Sequence, residues 1–337
     1  MSNRLLSQLS HVELMSDKPA ESVEFFVNVL GLEKSGEDGN SVYLRGWGDW
    51  LHHSMIITEG PAATVVRAGW RAEGAEELQS AVANLEAAGA TGEWKEDTLG
   101  QGPSYSFVGP GGQRVEIFWE AERFEAPPEL RSEFPNRPQR PSTRGVAARQ
   151  IDHVTWGSTD PVHDANWYSK NLGFRFTEYV VLDEKPVFAT VTTNEHTHDL
   201  GLLGDFSGEK GRVHHVAYWL DNVTDILRAA ELLTEFGVPI EFGPGRHGMG
   251  ESTYLYFREP GGMRIELFSG GFRNYLPDWK PVQWTPDEGA NNAYRNGDAP
   301  SSFLHALPLT EEEIAAGAGD FANPISNQRW AAVYAGA

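Results

Sequence analysis

Cysteine is absent from the 337-residue chain, and its absence excludes disulfides, thiolate metal sites and a thiol nucleophile at once. Any metal held here must be taken by histidine and carboxylate. Positive charge is also scarce, with 27 Lys and Arg against 48 Asp and Glu, a formal charge of −21. Nucleic acid and anionic membrane surfaces are both captured chiefly by basic side chains, so neither is expected as a partner. Nowhere do the roughly 18 apolar residues of a spanning helix run together, and the opening MSNRLLSQLSHVEL lacks a signal-peptide core. A cytoplasmic protein is the expectation. What is present is ample core material, 40% hydrophobic residues with 11 Trp and 17 Phe, over a length that suggests about two domains.

Those domains are related to each other. The segment GPGGQRVEIFWE at 109–120 returns as EPGGMRIELFSG at 259–270, which sets Glu116 and Glu266 150 residues apart. Upstream, LSHVELMSDKPAESVEFFVNVLGLEKSGE at 9–37 is echoed by IDHVTWGSTDPVHDANWYSKNLGFRFTE at 151–178. Alternating and helical periodicities divide each half again. Helices are expected near 19–30, 75–88, 164–171 and 223–236, each preceded by one strand and followed by about three. The fold class is therefore α+β, with four βαβββ modules in two tandem domains, 1–121 and 150–270. Residues 122–149 hold five Pro among alternating charges and read as an extended linker. The tail, 271–337, is rich in Pro, Asn and aromatics and is expected to pack over the second half as a lid.

Three residues of the second half combine into a chemical set: His153 in IDHVTW, His215 in VHHVAYW and Glu266 in MRIELF. Each lies mid-strand in an alternating segment, so all three can face one cavity if modules three and four curve together. Two neutral imidazoles and a carboxylate form the facial set that holds Fe(II) with open positions for substrate and O₂. Spacings of 62 and 51 residues are not a short motif, and a strand histidine is more often a core residue.

The stretch GRHGMGESTYLYFREPGGMRIE, from Gly245 to Glu266, resembles the signature of type I extradiol, meta-cleaving ring dioxygenases of the vicinal oxygen chelate superfamily. The resemblance extends over about residues 5–300 through the module order and the His-Val strands. It implies that His153, His215 and Glu266 bind Fe(II), with Mn(II) suited to the same ligands, and that the substrates are a catechol and O₂. It further implies that His198 is the acid/base, that Tyr256 bonds the ionised catechol oxygen and that His247 stands near the other hydroxyl. The family often forms homo-oligomers, and one is expected here.

The first half keeps His11 and Glu116, but TVVRAGWRA has no histidine where VHHVAYW has His215, so a structural role without metal is predicted; His52 and His53 remain unexplained. His214 is expected to face away from His215 by strand alternation. Relatives accepting carboxylated catechols carry Arg, Trp and Asn where this chain has Phe242, Thr190 and Thr155. Burying a substrate carboxylate without a partner is costly, so a neutral, apolar-substituted catechol is favoured. Phe188, Phe242, Trp156 and Tyr254 are candidate walls, with Tyr294 or Phe303 as a lid; Arg295 keeps an acidic substrate such as homoprotocatechuate open. A dihydroxybiphenyl substrate is a further alternative. A glyoxalase-like lyase or a ligand-binding protein fits less well, because Tyr256 stands ten residues before Glu266 and the His198, His247 and Tyr256 set is complete.

Overall fold

Proline opens the helices of both first modules of a half. Pro19 and Pro161 sit at the first helical turn, where a missing N–H costs nothing. In the computed structural model, which describes residues 4–296 and 299–319, module one is β1 (Leu6–Ser16), α1 (Pro19–Asn28), β2 (Glu33–Asp38), β3 (Ser41–Arg45) and β4 (Met55–Glu59). Module two is β5 (Thr64–Ala72), α2 (Ala75–Ala87), β6 (Gly92–Lys95), β7 (Ser104–Val108) and β8 (Arg114–Phe118). Module three is β9 (Gln150–Ser158), α3 (Pro161–Leu172), β10 (Arg175–Leu182), β11 (Lys185–Thr192) and β12 (Leu200–Gly204). Module four is β13 (Val213–Trp219), α4 (Val223–Glu235), β14 (Ile240–Arg246), β15 (Ser252–Arg258) and β16 (Arg264–Gly270). Asp160 caps α3 by accepting from the His163 N–H at 3.0 Å, and Gly173 ends it at φ 73°. Helix α4 buries Ile226, Ala229 and Leu233, the i, i+3, i+7 stripe of a surface helix.

Each half forms one sheet with the same strand order. The first runs β2-β3-β4-β1-β5-β8-β7-β6, and the second runs β10-β11-β12-β9-β13-β16-β15-β14. Beyond β10 the tail adds a short parallel strand, β17 (Val282–Trp284). The two middle strands of each sheet are the first strands of its two modules, and they pair antiparallel. Motif strands therefore lie at the centre of each sheet.

The halves share one continuous core, in which Phe25 of α1 packs on Phe257 of β15. The repeated Pro-Gly-Gly turns make reciprocal contacts across the join. Glu259 Oε2 accepts from Ser22 Oγ at 2.6 Å, while Gln113 Nε2 donates to Asp164 Oδ2 at 3.2 Å. Module four thus docks on the helix start of module one, and module two on that of module three.

Residues 122–149 form no helix or strand, yet they follow the first half closely. Val146 and Ala148 donate their N–H groups to Val29 and Leu30, and Gln139 is buried. In the tail, Phe303 is buried, whereas Tyr294 is 65% exposed and is no part of a cover. A short helix, α5 (Glu311–Ala315), ends the described tail, with Glu313 bonded to Arg212 at 2.7 and 2.9 Å. Among the described residues no helix is long and apolar enough to cross a membrane.

Candidate metal centre and active site

His153 rises from β9, His215 from the adjacent β13 and Glu266 from β16 on the far side of β13. Strands β9 and β16 would be roughly 10 Å apart in a flat sheet, so the sheet must curl for their side chains to meet. They do meet. His153 Nε2 lies 2.9 Å from Glu266 Oε2, His215 Nε2 lies 3.0 Å from the same oxygen, and the two Nε2 atoms are 2.9 Å apart. Among the described residues this is the cluster of three His or carboxylate groups able to hold a cation.

The donor set suits a divalent ion. Neither Glu266 oxygen accepts a well-formed hydrogen bond among the described residues, although both are fully buried, and a buried carboxylate without donors is costly unless it meets a cation. Asp152 Oδ1 lies 2.7 Å from His153 Nδ1, so Nδ1 carries a proton and Nε2 is the nitrogen turned towards Glu266 and His215, an arrangement common around metals. Burial acts against a charged His153, but Glu266 and Asp152 outweigh it and raise its pKa to about 9. Burial, only partly opposed by Glu266, lowers His215 to about 4. Glu266 is held well below the carboxylate range because His153 and His215 outweigh the effect of burial. The protein's own answer to the buried carboxylate is thus one imidazolium, a proton that a divalent ion would replace.

His198, Tyr256, His247, Tyr254, Phe242, Thr155 and Phe303 gather round this cluster, whereas Phe188 and Trp156 do not. His198 precedes β12, its ring 4.2 Å from that of His153 and its Nδ1 3.0 Å from Thr197 Oγ1. Its Nε2 has no partner among the described residues, and burial with the neighbouring His153 keeps it neutral. A cross-strand row, Phe242–Tyr256–Glu266, crosses β14, β15 and β16. The Tyr256 hydroxyl lies 3.0 Å from His247 Nε2, and burial beside Glu266 pushes its pKa well above 10. Tyr254 stacks on His247 at 4.0 Å and on Phe242 at 4.8 Å. Phe303 of the tail closes this aromatic cluster, 4.6 Å from Tyr256 and 4.8 Å from Phe242.

Thr155 Oγ1 lies 3.2 Å from His215 Nε2. Gly201 is opposite it, where an added Cβ would sit 2.2 Å from that hydroxyl. Thr190 is next in the same row, but its hydroxyl is engaged by Thr177 at 2.8 Å. Phe188 lies further out, against Met249, Ala290 and Trp284. Trp156 is a correction to the sequence reading. Successive strand residues alternate, so with His153 and Thr155 facing the cluster, Trp156 points into the main core, fully buried with Val154.

His214 is a second correction. A bulge between Val213 and His215 breaks the alternation. The two rings lie side by side, with Nδ1 to Nδ1 at 2.6 Å, and His214 Nε2 reaches the Phe303 carbonyl at 2.5 Å. Asp152 and the tail carbonyls were missed from sequence. Asp152 had a signal, standing directly before His153; a main-chain carbonyl has none.

The first half carries the same geometry with one ligand replaced. Gly69 pairs with Glu116 as Ala217 pairs with Glu266, which puts Arg67 at the place of His215. Val12 pairs with Met55 as Val154 pairs with Leu200, which puts His53 at the place of His198. His11 Nε2 lies 2.7 Å from Glu116 Oε1, and Arg67 reaches Glu116 at 3.0 Å and Glu13 at 2.6 Å. The His53 ring lies tilted against that of His11 at 4.8 Å, and His52 Nδ1 lies 3.1 Å from His53 Nδ1.

The chain belongs to the Glyoxalase/Bleomycin resistance protein/Dioxygenase superfamily, whose model matches residues 8–117 and 150–267, once in each half. It is 39% identical over 288 residues to the manganese-dependent 2,3-dihydroxybiphenyl 1,2-dioxygenase of Geobacillus genomosp. 3, covering 84% of this chain and 91% of that protein. It is 34% identical over 315 residues to metapyrocatechase of Geobacillus stearothermophilus, covering 92% of this chain and 96% of the relative. The solved structure of homoprotocatechuate 2,3-dioxygenase from Arthrobacter globiformis matches with a TM-score of 0.79 and 27% identity, over 92% of this chain and 94% of its own. The vicinal oxygen chelate fold and the kinship with extradiol dioxygenases expected from Gly245–Glu266 therefore hold.

Proposed function

We propose that this protein is an extradiol dioxygenase that opens a neutral, apolar-substituted catechol with O₂, using Fe(II) held by His153, His215 and Glu266. The observation that carries the reading is the meeting of these three side chains within 3.0 Å of one another, with His198, Tyr256 and His247 packed around them. A divalent ion there lowers the pKa of a bound catechol hydroxyl and brings the electrons of the ring within reach of O₂.

The chain's own residues position the substrate and move its protons. Tyr256 stays protonated and donates to a substrate oxygen or to His247. His198, neutral and with Nε2 free, accepts a proton there and returns it later. Phe242, Tyr254 and Phe303 form an apolar wall that keeps water from the ring. The two arginines considered from the sequence face outward partners: Arg246 lies 3.6 Å from the exposed Glu251 and Arg295 donates to the Glu288 carbonyl at 2.9 Å. A carboxylated catechol would lack a cation, which favours the neutral class. One relative is named as manganese-dependent, so Mn(II) is a second reading of the same ligands.

Anaerobic loading with Fe(II) or Mn(II), followed by catechol, 3-methylcatechol, 2,3-dihydroxybiphenyl or 3,4-dihydroxyphenylacetate in air, tests the proposal. A yellow ring-opened product is expected with the neutral catechols and least with the acid. No product from any of them would sink the dioxygenase reading, and preference for the acid would sink the neutral pocket.

A further inference from the structure

We propose that two main-chain carbonyls of the tail set the proton positions of the histidines in the site, so that docking of the tail and capture of a cation at His215 are coupled. This rests on the reading of His153, His215 and Glu266 as metal ligands.

A carbonyl can only accept. Phe303 O lies 2.5 Å from His214 Nε2, so that nitrogen carries hydrogen. His214 is buried beside the Arg264 guanidinium, which donates to the His214 carbonyl at 2.8 Å, and a second positive charge there is disfavoured. His214 is then neutral, and its Nδ1 has a lone pair. His215 Nδ1, 2.6 Å away, must be the donor of that pair. A neutral His215 protonated at Nδ1 has a bare Nε2, the tautomer a cation requires, and Nε2 is the atom that faces Glu266 and His153. Reversing the relay would press a bare nitrogen against the Phe303 carbonyl and put the proton where the cation must bind.

The tail repeats the device. Asn291 O lies 2.6 Å from His247 Nδ1, which leaves Nε2 to accept from the Tyr256 hydroxyl at 3.0 Å. The bulge that brings His214 beside His215 has its counterpart in the first half at Val66, where no such relay can form. The carbonyls are held in place: Arg264 donates to Ser302 O at 2.9 Å and His305 O at 3.1 Å, and Val213 and Leu307 exchange hydrogen bonds of 3.0 and 2.7 Å. By linkage, a cation that selects the bare Nε2 of His215 also favours the docked tail.

Long-range proton–nitrogen NMR spectra of the full-length, metal-free protein labelled with ¹⁵N-histidine test the relay directly. Hydrogen is expected on Nε2 of His214, Nδ1 of His215 and Nδ1 of His247; His215 protonated at Nε2 would overturn the proposal. Calorimetric Mn(II) titration of wild type, His214→Gln and His214→Phe tests the coupling. Gln can accept from His215 and donate to the carbonyl, whereas Phe fills the space and does neither. His214→Phe is expected to bind about 10–100-fold more weakly and His214→Gln closer to wild type, and equal affinity for Phe and wild type would refute the coupling. If wild type takes up no divalent ion, the metal reading fails and the coupling with it, while the spectra still decide the tautomers.

Discussion

Glu266 is the one carboxylate that both buried imidazoles address, at 2.9 and 3.0 Å. Glu266→Gln preserves its shape and removes its charge. It is expected to lose nearly all bound divalent metal, read as metal content after gel filtration; stoichiometric retention would argue against the ligand set. His198→Asn should behave oppositely, because His198 touches His153 only through its ring. Metal content should stay constant while kcat falls by about 10²–10⁴-fold. The ligand side chains were legible because each sits in a segment with a recognisable frame, His-Val in a module's first strand or Pro-Gly-Gly four residues before Arg-Ile-Glu, and His198 because an Asp follows it in THDLGLLG. Trp156 was misplaced although strand parity from His153 already put it on the other face. The Phe303 and Asn291 carbonyls could not have been found, since any residue type supplies that acceptor.

Among the elements, β5 shows what replaced a ligand. The Arg67 guanidinium lies between Glu116 and Glu13 and puts a permanent cation into the first-half cluster. Arg67→Met would leave both carboxylates facing each other with little water. Breaking a fully buried pair costs about 3–5 kcal/mol; with Arg67 roughly a quarter exposed, we expect about 2 kcal/mol, measured by urea unfolding. The loss should be visible at pH 7 and fade on acidification. Burial tends to raise the Glu116 pKa, but His11 and Arg67 outweigh it and bring it to about 2, so its contribution is present above the ordinary carboxylate range and is lost as pH falls towards 2. The module order, all four helices and the repeat were readable from periodicity. The correspondence of His53 with His198 was not, because the loops before β4 and β12 differ in length and only strand register aligns them.

At the scale of the whole molecule, the tail distinguishes the two halves. Arg114 and Arg264 occupy the same place in the repeated motif, yet Arg114 is exposed and Arg264 wholly buried, clamped to Glu241 at 2.8 and 2.9 Å beneath residues 302–305. The far end is fixed by Glu313. Burial opposes its charge, but Arg212, Thr310 and His305 outweigh this and hold its pKa near 2, with Asp205 sharing Arg212 at 3.0 Å. A depressed carboxylate stabilises above its unfolded pKa and ceases to do so as pH falls through the folded value. Above about pH 4.5 the segment 301–319 should therefore show less hydrogen-exchange protection in Glu313→Gln than in wild type, and the difference should shrink as pH falls towards 2; identical profiles would place the anchor elsewhere. The contact between Ser22 and Glu259 joins residues 237 positions apart, and Glu266 lies on the strand immediately after that turn. The consequence is temporal. A chain emerging from the ribosome can finish its first sheet early, but the strand bearing Glu266 finds its partner on α1 only after some 260 residues have been made. Long-range closure of this kind slows folding, so the site is assembled among the last events, and a chain that stalls partway carries histidines without the carboxylate that completes them.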